Sequence, residues 1–175
     1  MPVRLEGAIA LRKALRAFEP QLAKELTKEE VSFLKPIVKQ AREYLPKQDQ
    51  IISNWSVTNK KDGAKFPYYD FAVARRGLKY KTTPSRANSR GFTALASILN
   101  SSAVGAIFET AGRKTGDSVF VRNLNAKYSS KMVGQGKMSG RAMFRAWEED
   151  RGKAQAGVIR AIENAAEKFK AATNG

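Results

Sequence analysis

The 175-residue sequence contains no cysteine and no histidine. Without cysteine there are no disulfide staples, thiolate metal sites or thiol nucleophiles. Histidine is the commonest general base near neutral pH and the commonest metal ligand. Its absence, together with that of cysteine, removes most hydrolase, transferase and zinc chemistries before any motif is sought. No apolar run approaches the roughly 20 residues that a membrane span needs. The opening MPVRLEGAIALRKAL is interrupted by Arg12 and Lys13, unlike a secretory signal. The expectation is a soluble protein made in a cytoplasm.

What the sequence does contain is positive charge. Lysine and arginine number 32 against 16 acids, a net charge of +16. Residues 1–50 hold ten cations and seven acids, residues 51–141 sixteen and four, and residues 142–175 six and five. The excess therefore belongs to the middle of the chain. A field of that sign attracts nucleic acid, an anionic membrane or an acidic protein face. A hydrophobic share of 42% is ordinary for a folded domain.

Periodicity predicts helices at both ends. Leu5, Ile9, Leu15, Phe18, Leu22 and Leu26 form an apolar stripe, with Arg12, Lys13, Arg16, Lys24 and Lys28 largely off it. Pro20 suits the first turn of a second helix, and Pro36 marks a bend or a further first turn. Thr27 and Glu30 have capping-box spacing. In the middle, Asp62-Gly63 predicts a turn between strands over 51–57 and 66–73. Leu78 to Thr82 alternates as a strand, which would place Tyr80 with Leu78 in the core and Lys79 and Lys81 outside. Residues 93–101 fit a helix or a strand equally well, whereas 119–124 reads as a strand. Residues 126–139 read as a mobile loop. A final helix is expected over 139–172, with Gly152 and Gly157 as weak points and a frayed tail after Phe169. The expected fold class is α+β, a single domain over 1–175. It comprises a helical arm (1–46), a basic β-rich middle (51–138) and a C-terminal helix (139–172), with the helices packed on a small, mostly antiparallel sheet.

The candidate acids of the middle segment are Asp62, Asp70, Glu109 and Asp117. None stands two residues before a lysine on a strand, as a typical metal-dependent nuclease core requires, and Asp62 and Asp117 lie in turn contexts. Gly134-Gln135-Gly136-Lys137 lacks the spacing and the strand-to-helix setting of a phosphate loop. No enzyme, metal or cofactor is expected. Arg75, Arg76, Lys79, Lys81, Arg86 and Arg90 are the candidate contacts to DNA or to an acidic partner, interleaved with Tyr69, Phe71 and Tyr80.

The order of segments carries a resemblance. LRKALRAFEPQLAKEL and KPIVKQAREYLP are followed by ARRGLKY, AVGAIFETAGRK, FVRNLNAKY and GRAMFRAWEEDRGKAQAGVIRAIENAAEKF. This resembles the neck, minor tail or tail-completion proteins of long-tailed bacteriophages, especially those of actinobacterial hosts. That group includes the tail-completion protein Z of phage lambda. The resemblance extends over nearly the whole chain apart from 126–139. Its most specific parts are Ala103 to Lys114, with Gly105, Glu109, Ala111, Gly112 and Arg113, and the GRAMFRAW segment opened by Gly140 and Arg141. The resemblance implies a structural virion protein at the head-proximal end of the tail, forming a ring of six copies. Its implied partners are the tail terminator, the head-closure or connector ring, the tape measure protein and DNA in the channel, with no membrane. A stand-alone basic nucleic-acid-binding protein is the alternative that composition suggests.

Overall fold

The computed structural model describes residues 7–51, 55, 67–89, 91–114, 118–128 and 132–173. Helices dominate: α1 (Ala8–Phe18), α2 (Pro20–Glu43), α3 (Phe71–Gly77), α4 (Ala103–Thr110), α5 (Val119–Lys127) and α6 (Met143–Thr173). Two short strands, β1 (Leu78–Lys81) and β2 (Ser97–Asn100), pair as an antiparallel sheet. The class is α+β with helix in large excess. Among the described residues no helix is long and apolar enough to cross a membrane.

The chain divides into two compact units. The first comprises residues 1–36, 80–97 and 150–175, and the second 37–79 and 98–149. In the first unit, α1 and α2 meet the C-terminal part of α6 through Ala8, Leu15, Leu26, Ala161, Ile162 and Ala165, with Leu11, Leu22, Val158 and Phe169 packed around them. Pro20 opens α2 as expected, because its missing N–H is no loss in a first turn. The Thr27–Glu30 capping box does not form. Both residues lie inside α2, where the Thr27 hydroxyl donates to Ala23 O at 2.9 Å. Glu30 is fully buried and pairs with Arg12 of α1. The Arg12 guanidinium also donates to Thr82 O at 2.6 Å. Arg12 is thus a buried residue on the packed side of α1, not one of the solvated charges off the stripe.

In the second unit, Ile37, Val38, Ala41, Leu45, Tyr69, Ala74, Leu78, Phe108 and Leu124 are buried. Trp55 is buried edge-on against Tyr69 and Phe120, each at 5.1 Å between ring centroids. The Tyr69 hydroxyl donates to Pro46 O at 2.5 Å, and burial pushes its pKa well above the usual phenol range.

The middle segment departs most from the sequence expectation. Phe71 to Gly77 is helical, including 71–73 where the second hairpin strand was expected, because Asp70 caps the helix by accepting from Val73 N at 2.9 Å. The first expected strand and the Asp62-Gly63 turn lie outside the described residues, except Ile51 and Trp55. Residues 119–124 belong to a helix rather than a strand, with Ser118 as the capping residue. Residues 97–100 resolve the ambiguous 93–101 segment as strand. In the segment expected to be a loop, Val133 forms an antiparallel bridge to Gly140, just beyond that segment, around a single 3-10 turn at Gly136–Met138. The C-terminal helix runs on to Thr173, past the expected fraying point at Phe169.

Candidate functional site

The two segments that carry the family resemblance meet in the second unit. Helix α4 ends at Thr110, and the N–H of Ala111 closes its last turn onto Ile107 O at 2.9 Å. Gly112 then takes a left-handed φ of 83°, and a Cβ there would meet Val121 Cγ1 at 2.6 Å. Both the backbone conformation and the close approach therefore require glycine. The turn aims Arg113 across to Ser139 O, to which it donates from Nε at 2.9 Å and from a terminal nitrogen at 2.5 Å. The same guanidinium stands 5.1 Å above the Phe144 ring.

Glu109, 2% exposed, is the centre of this arrangement. Its carboxylate accepts the backbone N–H groups of Ala142, Met143 and Phe144 at 2.9, 2.9 and 2.8 Å. These are donors of the first turn of α6, which have no partners within the helix. A carboxylate from another helix thus caps α6 and compensates its dipole. Gly140 leaves the space that Glu109 occupies, since a Cβ at that position would overlap the carboxyl group. Arg141, 1% exposed, donates to Phe108 O at 2.9 Å and to Asn125 Oδ1 at 2.7 Å. Gly105, at the other end of α4, lets that helix close onto Ser102, whose hydroxyl caps it from 3.1 Å.

Burial raises the Glu109 carboxyl above the ordinary glutamate range, while the three backbone N–H groups and Arg113 pull it partly back. Burial likewise lowers the Arg141 pKa, against the opposing field of Glu109. A carboxyl with a raised folded-state pKa binds its proton more tightly folded than unfolded. Its contribution is therefore fully present below the unfolded value, about 4.3, and fades as pH rises through the folded value. The stability difference between wild type and Glu109→Gln is expected to be most favourable to wild type at low pH and to shrink as pH rises. Urea denaturation across a pH series reads it, and a difference growing with pH would contradict the dominance of burial.

The basic candidates lie elsewhere. Arg75 and Arg76 close α3 and are exposed, as is Lys79 of β1, all in the second unit. Lys81 and Arg86 are exposed in the first unit, and Arg90 lies outside the described residues. The strand exposes Lys79, Tyr80 and Lys81 in succession, and only Leu78 is buried. Tyr80, 37% exposed, therefore does not pack into the core with Leu78 as alternation predicted. Of the interleaved aromatics, Tyr69 is fully buried and Phe71 is half-buried.

Of the candidate acids, Asp70 and Glu109 both serve as helix caps, and Asp62 and Asp117 lie outside the described residues. One polar cluster gave no sequence signal, because Gln40 and Tyr44 stand 109 and 105 residues from Glu149. Gln40 of α2 and Tyr44, just after its end, donate to Glu149 Oε2 at 2.6 and 2.5 Å. Arg145 pairs with Glu149 at 2.9 Å and stacks 4.1 Å above the Tyr44 ring. The Tyr44 hydrogen bond lowers the Glu149 pKa, and the phenol itself is raised, chiefly by desolvation.

No family model, curated protein or solved structure matches the chain.

Proposed function

We propose that the chain is a structural subunit of the head–tail interface of a long-tailed bacteriophage, working as a ring of copies that completes the tail and helps to join it to the filled head. The observation that carries the reading is the convergence of its resemblance-bearing residues. Glu109, Ala111, Gly112, Arg113, Gly140 and Arg141 are spent on one buried joint between α4 and α6. Such a joint is what a rigid assembly subunit requires, and its glutamate is committed to capping a helix. The ring partners are the tail terminator, the head-closure or connector ring and the tape measure protein. The exposed cations face either an acidic ring or channel DNA.

The exposed run of Lys79, Tyr80 and Lys81, with Arg75 and Arg76 on the preceding helix, favours a second reading as a stand-alone nucleic-acid-binding protein. Cations beside an exposed ring supply charge and stacking together. Electrophoretic mobility shifts over a salt series separate the two. A ring subunit is expected to bind free DNA only at the non-specific level, with Kd of roughly 10⁻⁴–10⁻⁶ M at physiological salt. Tight, steeply salt-dependent binding by the isolated chain would overturn the virion reading.

The triple charge reversal Arg75→Glu, Arg76→Glu, Lys79→Glu is expected to leave the fold intact, since exposed substitutions usually stay within about 0.5 kcal/mol each. Head–tail joining should fail in complementation with this variant. A large fall in its circular-dichroism melting temperature would instead make these side chains structural.

A further inference from the structure

The first unit carries an open groove of about 480 Å³ along α2, beginning beside Arg16 at the end of α1. It is lined by the half-buried Ala23 and Val31, the exposed Pro20 and Thr27, and the cations Arg16, Lys24 and Lys28. The α2 residues of the groove recur at helical spacing from 20 to 31, a strip about 16 Å long at 1.5 Å per residue. All three cations are exposed, and among the described residues none is paired with a carboxylate. The groove lining itself contains no acid. Two residues before Pro20, the α1–α2 corner leaves Phe18 74% exposed.

We propose that this groove is a docking site for an amphipathic helix of another protein, with an apolar face flanked by glutamate or aspartate. Three features select that occupant. The strip has the length and spacing of a helix-in-groove contact, in which a ligand helix seats apolar anchors about every turn. The cations stand among the apolar lining residues, so lysine stems cover the ligand's apolar face while the ammonium groups meet its acids. The lining also offers no aromatic ring on which a base could stack, unlike surfaces built for single-stranded nucleic acid. The inference rests on the groove alone and stands or falls separately from the virion reading.

The test is fluorescence anisotropy of the full chain. The probe is a labelled 19-residue designed helix with leucine and alanine on one face and glutamate on its flanks. Its controls are a scrambled peptide of the same composition and an unlabelled 20-nucleotide single-stranded DNA competitor. The helix is expected to bind at least about tenfold more tightly than the scramble. Lys24→Glu with Lys28→Glu should weaken it by about tenfold or more, as like charges are brought together. Thr27→Trp, which fills the groove without changing charge, should weaken it as well. Circular dichroism checks each variant, and Lys24→Gln with Lys28→Gln replaces the reversal if that variant unfolds. Equal binding of the scramble, or full binding to Thr27→Trp, would overturn the proposal. Displacement by the oligonucleotide that Thr27→Trp also abolishes would reassign the groove to nucleic acid. A dimer in sedimentation that the same variants dissolve would reassign it to a second copy.

Discussion

Replacing Glu109 by alanine is expected to cost about 3–5 kcal/mol, the scale set by removing one member of a buried charged network. The substitution takes away the acceptor for three backbone N–H groups at the start of α6, one of them on the buried residue Ala142. Each donor left without a partner in a dry setting costs about 1–3 kcal/mol. The loss also opens a cavity beside Gly140 and removes the negative charge nearest Arg141. Natural domains hold only about 5–15 kcal/mol in reserve, so this one change is expected to remove much of the margin. Denaturant titration reads it as a lower midpoint with an unchanged slope. Glu109→Gln keeps the shape and one acceptor oxygen, and should cost distinctly less. A Glu109→Ala variant within about 1 kcal/mol of wild type would mean that α6 does not depend on this cap.

The second large effect belongs to Arg12 and Glu30 in the first unit. The pair is buried, and the Arg12 Nε and one Glu30 oxygen have no hydrogen-bond partner. Desolvation lowers the Arg12 pKa, aided by the positive field of Arg16. Two charges withdrawn from water lose several kcal/mol of hydration apiece, and their attraction returns it only when the remaining polar atoms are satisfied. Arg12→Ala or Glu30→Ala alone should therefore cost about 3–5 kcal/mol, by stranding the other charge. The double variant Arg12→Met, Glu30→Leu should be less destabilising than either single change, even though Thr82 O loses its donor. A double-mutant cycle with Arg12→Ala, Glu30→Ala and their double-alanine combination measures the coupling. Single and double losses that simply add would show that the two side chains act independently.

These two effects also mark where the sequence was legible and where it was not. The terminal helices were readable because their apolar stripes repeat over many turns, and Pro20 announced the start of α2. The role of Arg12 was hidden, since a cation on the flank of an apolar stripe looks solvated until Glu30, eighteen residues away, is brought opposite it. Residues 71–73 and 119–124 read as strand because aromatic and β-branched side chains favour strands on average. Asp70 and Ser118 cap short helices there, and packing decides the rest. Gly152 and Gly157 look alike in sequence, yet the Phe33 ring fills the space a Cβ would need at Gly157 and nothing lies near Gly152.

The candidate site was half legible. The sequence singled out Glu109, Gly112, Arg113, Gly140 and Arg141 as distinctive, but it gave no sign that they form one joint. The reason is physical: a carboxylate capping another helix 33 residues downstream obeys no local spacing rule. The exposed cations were legible by counting, whereas Tyr80 was not, because a short two-stranded sheet has too little cover to bury both of its faces.

We propose this chain as a ring subunit of the virion neck. Cryo-electron microscopy of the particle assembled from this gene and its neighbouring reading frames tests it most directly. The account predicts a closed ring of copies at the head-proximal end of the tail, with the α4–α6 joint inside each subunit and Arg75, Arg76 and Lys79 turned toward DNA or an acidic neighbour. Purified, infectious particles that lack the chain would contradict it.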